Sequence, residues 1–338
     1  MKPQKIHILL YLFLCISCTK EYTAPVETPH NPESPKQLEK TLGLIVLTAL
    51  NTAQTIVYHI DTLHQIKDWK FLQGDFFDAR IDCERNMLYY FPKSIGKMQA
   101  IDMNSKEPTW TLSLTNAQTT QWFRGIDVIQ NELYVADYDG YVNVYDDKKR
   151  TQKSFHVLDN YMTTHFLHYD YITYTFQQPR NNSQHKRIVN YNFGLNIVCN
   201  MIFDCNLIKW FVQDKNETLL FYNEDKNAGI SVLYYLSAGI STIRTISSEK
   251  MIDVCRIAQE QFIVATNRRL YLYNHADRSL SAFLEKENIT QLEWNSLTSL
   301  LAISAGNEIS VYSLSQKETV QQYTLPYEIK KFFWNLSY

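Results

Sequence analysis

The sequence predicts an all-β fold, a seven-bladed β-propeller of four-stranded antiparallel blades, on three observations. Apolar, β-branched or aromatic runs begin near Leu44, Met87, Leu133, Tyr171, Leu219, Phe262 and Leu300. Their spacing averages about 43 residues, the length of one four-stranded blade. Most of these runs lead into a second segment that ends on a polar or small residue, as in Val57-Tyr58-His59-Ile60-Asp61, Asn143-Val144-Tyr145-Asp146 and Val311-Tyr312-Ser313. Alternation at period two with turn residues between runs argues half-buried antiparallel strands. Finally, Ile289-Thr290-Gln291-Leu292-Glu293-Trp294-Asn295 is echoed by Ile329-Lys330-Lys331-Phe332-Phe333-Trp334-Asn335, forty residues later and with no strands after it.

The echo bears on closure. Blade one begins at Gly43 with what reads as its second strand, so the C-terminal strand is expected to join the first blade as its innermost strand. A ring closed in this way hides edges that would otherwise template aggregation. The segment 41–338 is therefore read as the propeller domain, long enough to bury a substantial core.

Two short segments precede it. Lys2 and Lys5 stand before an apolar stretch from Ile6 to Ile16, too short to span a bilayer and suited to a signal peptide. It ends at Ile16-Ser17-Cys18, which resembles the lipobox of bacterial lipoproteins; the resemblance implies a signal peptide over 1–17 and lipid attachment at Cys18. An ordinary cleaved signal peptide is the other reading. The Cys-Thr-Lys-Glu start looks like lipoproteins of the Bacteroidota. From residue 18 to 40 the chain is polar and carries Pro25, Pro29, Pro32 and Pro35, the composition of a disordered, stiffened tether.

Composition narrows function mainly by exclusion. A formal net charge of −2 gives no electrostatic reason to expect nucleic acid as a partner. No Gly-x-Gly phosphate loop, Gly-x-Ser-x-Gly elbow or His-Glu-x-x-His helix occurs. No catalytic residue, cofactor or metal is expected, and the chain reads as a non-enzyme. The nearest approach to a metal site is His165, His168 and Asp170, where strand alternation puts His165 opposite the other two and a bulge would be needed to gather them. Among the cysteines, Cys83 and Cys255 read as equivalent places in blades two and six, and Cys199 and Cys205 are close enough in sequence to form a bridge. Trp122, Trp210, Trp294 and Trp334 fall in innermost-strand regions, where packing between blades is expected.

The recognition surface is read from loop asymmetry. Two long loops, Gln177 to Lys186 and Asn223 to Gly229, lie on one face of adjacent blades, and polar loops on a rigid scaffold are where binding usually sits. The first brings Arg180, His185, Lys186 and Arg187, and the second Glu224, Asp225 and Lys226.

The period, strand order and closure resemble seven-bladed propellers of the WD40-like and quinoprotein-like superfamilies found in bacterial envelope proteins, without their Trp-Asp or tryptophan-docking signatures. The resemblance implies a lipid-anchored binding or scaffolding protein of the cell envelope, tethered to the outer membrane. A monomeric propeller within a larger complex, facing an envelope protein or glycan partner, is expected. The alternative is a propeller enzyme, a lactonase, lyase or cofactor-dependent oxidoreductase, with its site at the channel mouth.

Overall fold

The computed structural model of the protein describes residues 43–335 except 52–53, 62–64, 93–96, 114–122, 130–131, 138–140, 147–150, 157–160, 170–171, 180–184, 192–196 and 235–238. The chain forms seven four-stranded antiparallel sheets, the blades the repeat predicts. Blade one begins with β1 (Gly43–Asn51), β2 (Gln54–Ile60) and β3 (Ile66–Gln73). Blade two is β4 (Phe76–Asp82), β5 (Met87–Pro92), β6 (Lys97–Asp102) and β7 (Pro108–Ser113); blade three is β8 (Phe123–Ile129), β9 (Glu132–Asp137), β10 (Tyr141–Tyr145) and β11 (Thr151–His156). Blade four is β12 (Tyr161–Tyr169), β13 (Ile172–Pro179), β14 (Arg187–Tyr191) and β15 (Ile197–Ile202); blade five is β16 (Asn206–Val212), β17 (Glu217–Glu224), β18 (Asn227–Tyr234) and β19 (Gly239–Ile246). Blade six is β20 (Met251–Ala258), β21 (Gln261–Thr266), β22 (Arg269–Asn274) and β23 (Ser279–Glu285); blade seven is β24 (Ile289–Asn295), β25 (Leu300–Ala305), β26 (Glu308–Ser313) and β27 (Glu318–Thr324).

The last strand, β28 (Ile329–Asn335), returns to blade one and pairs with β1, with Leu44 opposite Trp334 and Val46 opposite Phe332. The echoed heptapeptide is thus the innermost strand of two neighbouring blades, β24 and β28. Trp334 Nε1 donates across them to the Glu293 carbonyl at 3.1 Å.

Packing explains why the second strand of each blade is the easiest to see in sequence. Alternate residues of one strand enter two different cores: Leu44 and Val46 pack against blade seven, whereas Ile45 and Leu47 pack against blade two. Both faces are buried, so β5 is buried at every position and β17 at all but its ends. The half-burial expected from alternation therefore fails for these strands, which read as continuous apolar runs for the same reason that doubly covered strands do.

Within a blade, neighbouring strands pack closely enough for a single atom to matter. A Cβ built at Gly229 would fall inside the ring of Tyr222, its cross-strand partner. Tyr222 is buried and accepts a hydrogen bond from Ser231 Oγ at 3.0 Å, so its ring is poorly placed to move. Gly229→Ala should cost about 1–3 kcal/mol in urea unfolding, and combining it with Tyr222→Leu should cost less than the two single changes summed. Ending the chain before Ile329 should leave β1 an open edge, with loss of cooperative unfolding and concentration-dependent association seen by light scattering.

Candidate functional site

Every innermost strand departs from regular pairing at the same place. A β-bulge leaves Phe77, Arg124, Thr164, Ile208, Ile252, Thr290 and Lys330 without a cross-strand partner. The next residue in each is Asp78, Gly125, His165, Lys209, Asp253, Gln291 and Lys331. Bulges bend a strand and re-aim its side chains, and here Asp78, Lys209, Asp253, Gln291 and Lys331 meet groups of a neighbouring blade.

The contacts form a belt. Lys331 of blade one pairs with Asp78 of blade two, which also binds Arg80 at 2.7 Å, and Arg80 reaches Asp127 of blade three at 3.4 Å. Lys209 of blade five meets Asp253 of blade six at 2.8 Å, and the other oxygen of Asp253 accepts the Leu292 amide of blade seven at 2.7 Å. Gln291 of blade seven then clamps Phe332 of blade one, donating to its carbonyl at 2.8 Å and accepting its amide at 3.0 Å. Asn223 makes the same two-point clamp on Met251, at 2.8 and 2.7 Å, further out between blades five and six.

Burial sets the protonation of these groups. Burial alone would raise Asp78, but the charges of Arg80 and Lys331 outweigh it and hold the carboxyl below the usual range. Burial pushes Asp127 and Glu293 upward, the neighbouring cations only partly opposing it. Lys331 is lowered by burial and then by Arg80, whereas Lys209 is raised because Asp253 and Glu293 outweigh its burial. Burial, and then the charge of Arg80, lower His165 to about 4, with Asp78 only partly opposing them. Its Nδ1 lies 3.0 Å from Thr164 Oγ1, and its ring stands edge-on to Phe176.

The residues expected to form a partner surface come together in part. Of the first loop, Arg180 lies outside the described residues. His185 Nδ1 bonds Asp204 Oδ2 at 2.7 Å, Lys186 Nζ bonds Asn206 Oδ1, and the Arg187 guanidinium sits 3.2 Å from the centre of the Tyr161 ring. The second loop is a correction: Glu224 pairs with Asn227, so Asp225 and Lys226 alone form a tight turn rather than a long loop. Asp225 takes a φ of +42°, a region that Asp tolerates better than most residues, which lets both strands run on to the turn. The two features are joined by the link between β15 and β16, where Cys205 Sγ donates to Glu224 Oε1 at 3.2 Å. Burial and then that carboxylate push the Cys205 thiol up to about 12, so it stays a protonated donor.

Cys205 is a free thiol, which rules out the bridge to Cys199 in this structure. Cys83 and Cys255 are not equivalent either: Cys83 follows β4 in a turn, while Cys255 is buried within β20. The bulge in blade four falls on Thr164, ahead of His165, and the register runs unbroken from His165 to Tyr169. The bulge therefore does not fall between His165 and His168, and Asp170 lies outside the described residues, as do Cys18 and Trp122. Trp210, Trp294 and Trp334 do sit on innermost strands; Trp210 Nε1 donates to the Phe166 carbonyl of blade four at 3.1 Å, a packing role.

The belt itself was missed in the sequence. Its signal was present as a polar residue two places after an apolar one at the start of the inner strand, as in Phe76-Phe77-Asp78, Leu207-Ile208-Lys209 and Met251-Ile252-Asp253.

No protein-family model and no curated protein matches the chain. Solved structures do. A chain of Kuenenia stuttgartiensis hydrazine synthase is similar at 12% identity and a TM-score of 0.56, over 71% of this chain and 77% of that one. BamB from Moraxella catarrhalis is similar at 9% identity and a TM-score of 0.51, over 77% of this chain and 81% of that one. The computationally designed Ika8 protein is similar at 12% identity and a TM-score of 0.54, over 86% and 90%. An enzyme chain, BamB and a designed protein share this architecture, so the likeness fixes the propeller fold alone.

The belt predicts a pH response. Unfolded His165 takes up a proton near its ordinary value of 6.5, whereas the folded side chain does so only near 4. The unfolded chain therefore binds more protons between these limits, and His165 makes the protein less stable as pH falls through that window. Against His165→Leu, the wild type should lose up to about 3 kcal/mol of relative stability between pH 7.5 and 4, measured by urea unfolding at both ends.

Proposed function

We propose that the chain is a lipid-anchored envelope protein whose propeller is a rigid scaffold for a protein partner, bound on the face formed by blades four and five. The observation that carries this reading is the cross-linking of three separate segments there. The β13–β14 loop, the β15–β16 link and the β17–β18 turn are tied by His185 to Asp204, Lys186 to Asn206, and Cys205 to Glu224. Polar loops are ordinarily independent and mobile; these are held together as one platform with both signs of charge. Pre-ordering of this kind lowers the entropy cost of binding.

The lipobox-like Ile16-Ser17-Cys18 supports attachment at Cys18, with the polar segment behind it as a tether to the outer membrane. Binding is favoured over catalysis because the acids around the axis are largely engaged by structure: Asp78 by Arg80 and Lys331, Asp253 by Lys209 and the Leu292 amide.

Purification from the native membrane in mild detergent, with mass spectrometry of the processed N-terminus and of co-purifying proteins, tests both parts. A diacylated Cys18 and a stoichiometric envelope protein are expected. Charge reversal at Lys186 and Lys226 should reduce that partner's recovery at least about tenfold, while reversal at Lys215, on the opposite face, should not. A partner retained in full by the Lys186 and Lys226 variant would refute the platform.

A further inference from the structure

On the opposite face, at the junction of blades five and six, lies a cleft of about 280 Å³. It is formed by the β16–β17 turn and the end of β18 on one side, and by the β20–β21 and β22–β23 turns on the other. Its walls are braced before any ligand arrives. The Arg256 guanidinium donates to the Val212 carbonyl at 2.9 Å, to the Gln259 carbonyl at 2.7 Å and to Gln213 Oε1, pinning both turns to one group. Asp214 Oδ1 accepts the amides of Asn216 and Glu217, which fixes the first turn. The His275 amide donates to the Glu260 carbonyl at 2.7 Å, and its Nδ1 lies 3.1 Å from the hydroxyl of the fully buried Tyr273. The imidazole is thereby oriented with Nε2 toward Glu217, 3.5 Å away.

One polar group of this wall has nothing to bind. Because Arg256 takes Gln213 Oε1, the amide is oriented, and Gln213 Nε2 is a buried donor without an acceptor among the described residues. Such a group carries a desolvation cost of about 1–3 kcal/mol unless something supplies an acceptor. Elsewhere the cleft is lined by the acceptors Asp214, Glu217 and Glu260 and the donors His275 and Arg278, with Gln259, Tyr234 and Ala276 as the remaining surface.

We infer that this cleft binds a neutral sugar unit, a single hexopyranose ring of a glycan. The lining is too polar for the apolar ligands that usual pockets take. A sugar hydroxyl both donates and accepts, so adjacent hydroxyls match closely spaced carboxylates, amides and a guanidinium in a way that a ligand of one polarity does not. The three carboxylates against one guanidinium disfavour an anionic ligand. A metal ion is disfavoured because no three His, Cys, Asp or Glu side chains converge among the described residues. The inference stands apart from the platform of blades four and five, since the cleft lies on the other face and shares no residue with it.

Saturation-transfer NMR on the purified full chain tests it with methyl β-D-glucopyranoside, methyl β-D-galactopyranoside and methyl α-D-mannopyranoside as probes. Transfer to the ring protons of at least one of them is expected, stronger than to glucuronate and absent with glycerol. Arg278 is exposed and adopts a φ of +56°, so Arg278→Gly removes the guanidinium while relieving the backbone. This variant should keep the wild-type melting temperature and bind the responding glycoside about tenfold more weakly; Gln213→Ala should weaken it likewise. No transfer from any of the three glycosides, equal transfer to glycerol, preference for glucuronate, or binding unchanged in folded Arg278→Gly would each overturn the inference.

Discussion

Apolar contact between successive sheets is the constraint on which everything else in this molecule rests. No blade has a core of its own. Each is a single sheet with two faces, and the clusters that exclude water lie between neighbours, such as Phe176, Trp210 and Leu220 between blades four and five or Phe221, Phe262 and Val254 between blades five and six. A sheet flanked on both sides must be apolar on both faces near its middle strands, and the polar surface is pushed to the outer strands, as in the largely exposed β19 and β23. Function is thereby confined to turns, links and the axis.

Polar chemistry at the axis follows from the same geometry. A bulge in each innermost strand shifts its pairing by one residue, and at Lys331, Lys209, Asp253 and Gln291 the residue that follows reaches the neighbouring blade. Opposite charges then alternate through Lys331, Asp78, Arg80 and Asp127, and again through Lys209 and Asp253. Partly buried ion pairs of this sort add little net stability over apolar packing, while removal of one partner strands the other. Their contribution is registry: each pair fits only one angular relation between adjacent blades. Gln291 and Asn223 achieve the same end with neutral amides, each reading the donor and acceptor of one backbone residue.

How much of this was legible in the sequence depends on periodicity. Continuous runs such as Met87-Leu88-Tyr89-Tyr90-Phe91 and Leu219-Leu220-Phe221-Tyr222 mark doubly buried strands, so blade number, strand order and closure could be read directly. Turn length could not. Asn223-Glu224-Asp225-Lys226-Asn227 looks like a loop because it is polar, yet three of its five residues belong to strands, and Asn223 is buried as a clamp on the next blade. The belt escaped notice because a bulge shifts side-chain parity by one, which ordinary alternation misreads as noise. The cleft between blades five and six escaped for a different reason: its residues come from three turns and a strand end separated in sequence, and only the ring brings Gln213 beside Glu260 and His275.

The pairing of β28 with β1 has a bearing on biosynthesis. The two strands joined by Leu44 and Trp334 are separated by every other blade in the chain. A polypeptide emerging from the ribosome or crossing a membrane presents β1 first, and that strand cannot acquire its inner neighbour until all later blades have been delivered. Domains usually fold as units as they emerge; this one is a single unit whose first sheet waits for its last strand. During that interval Leu44 and Val46, which pack against blade seven, and the open edge of β1 are without their final cover, an edge on which another chain could pair.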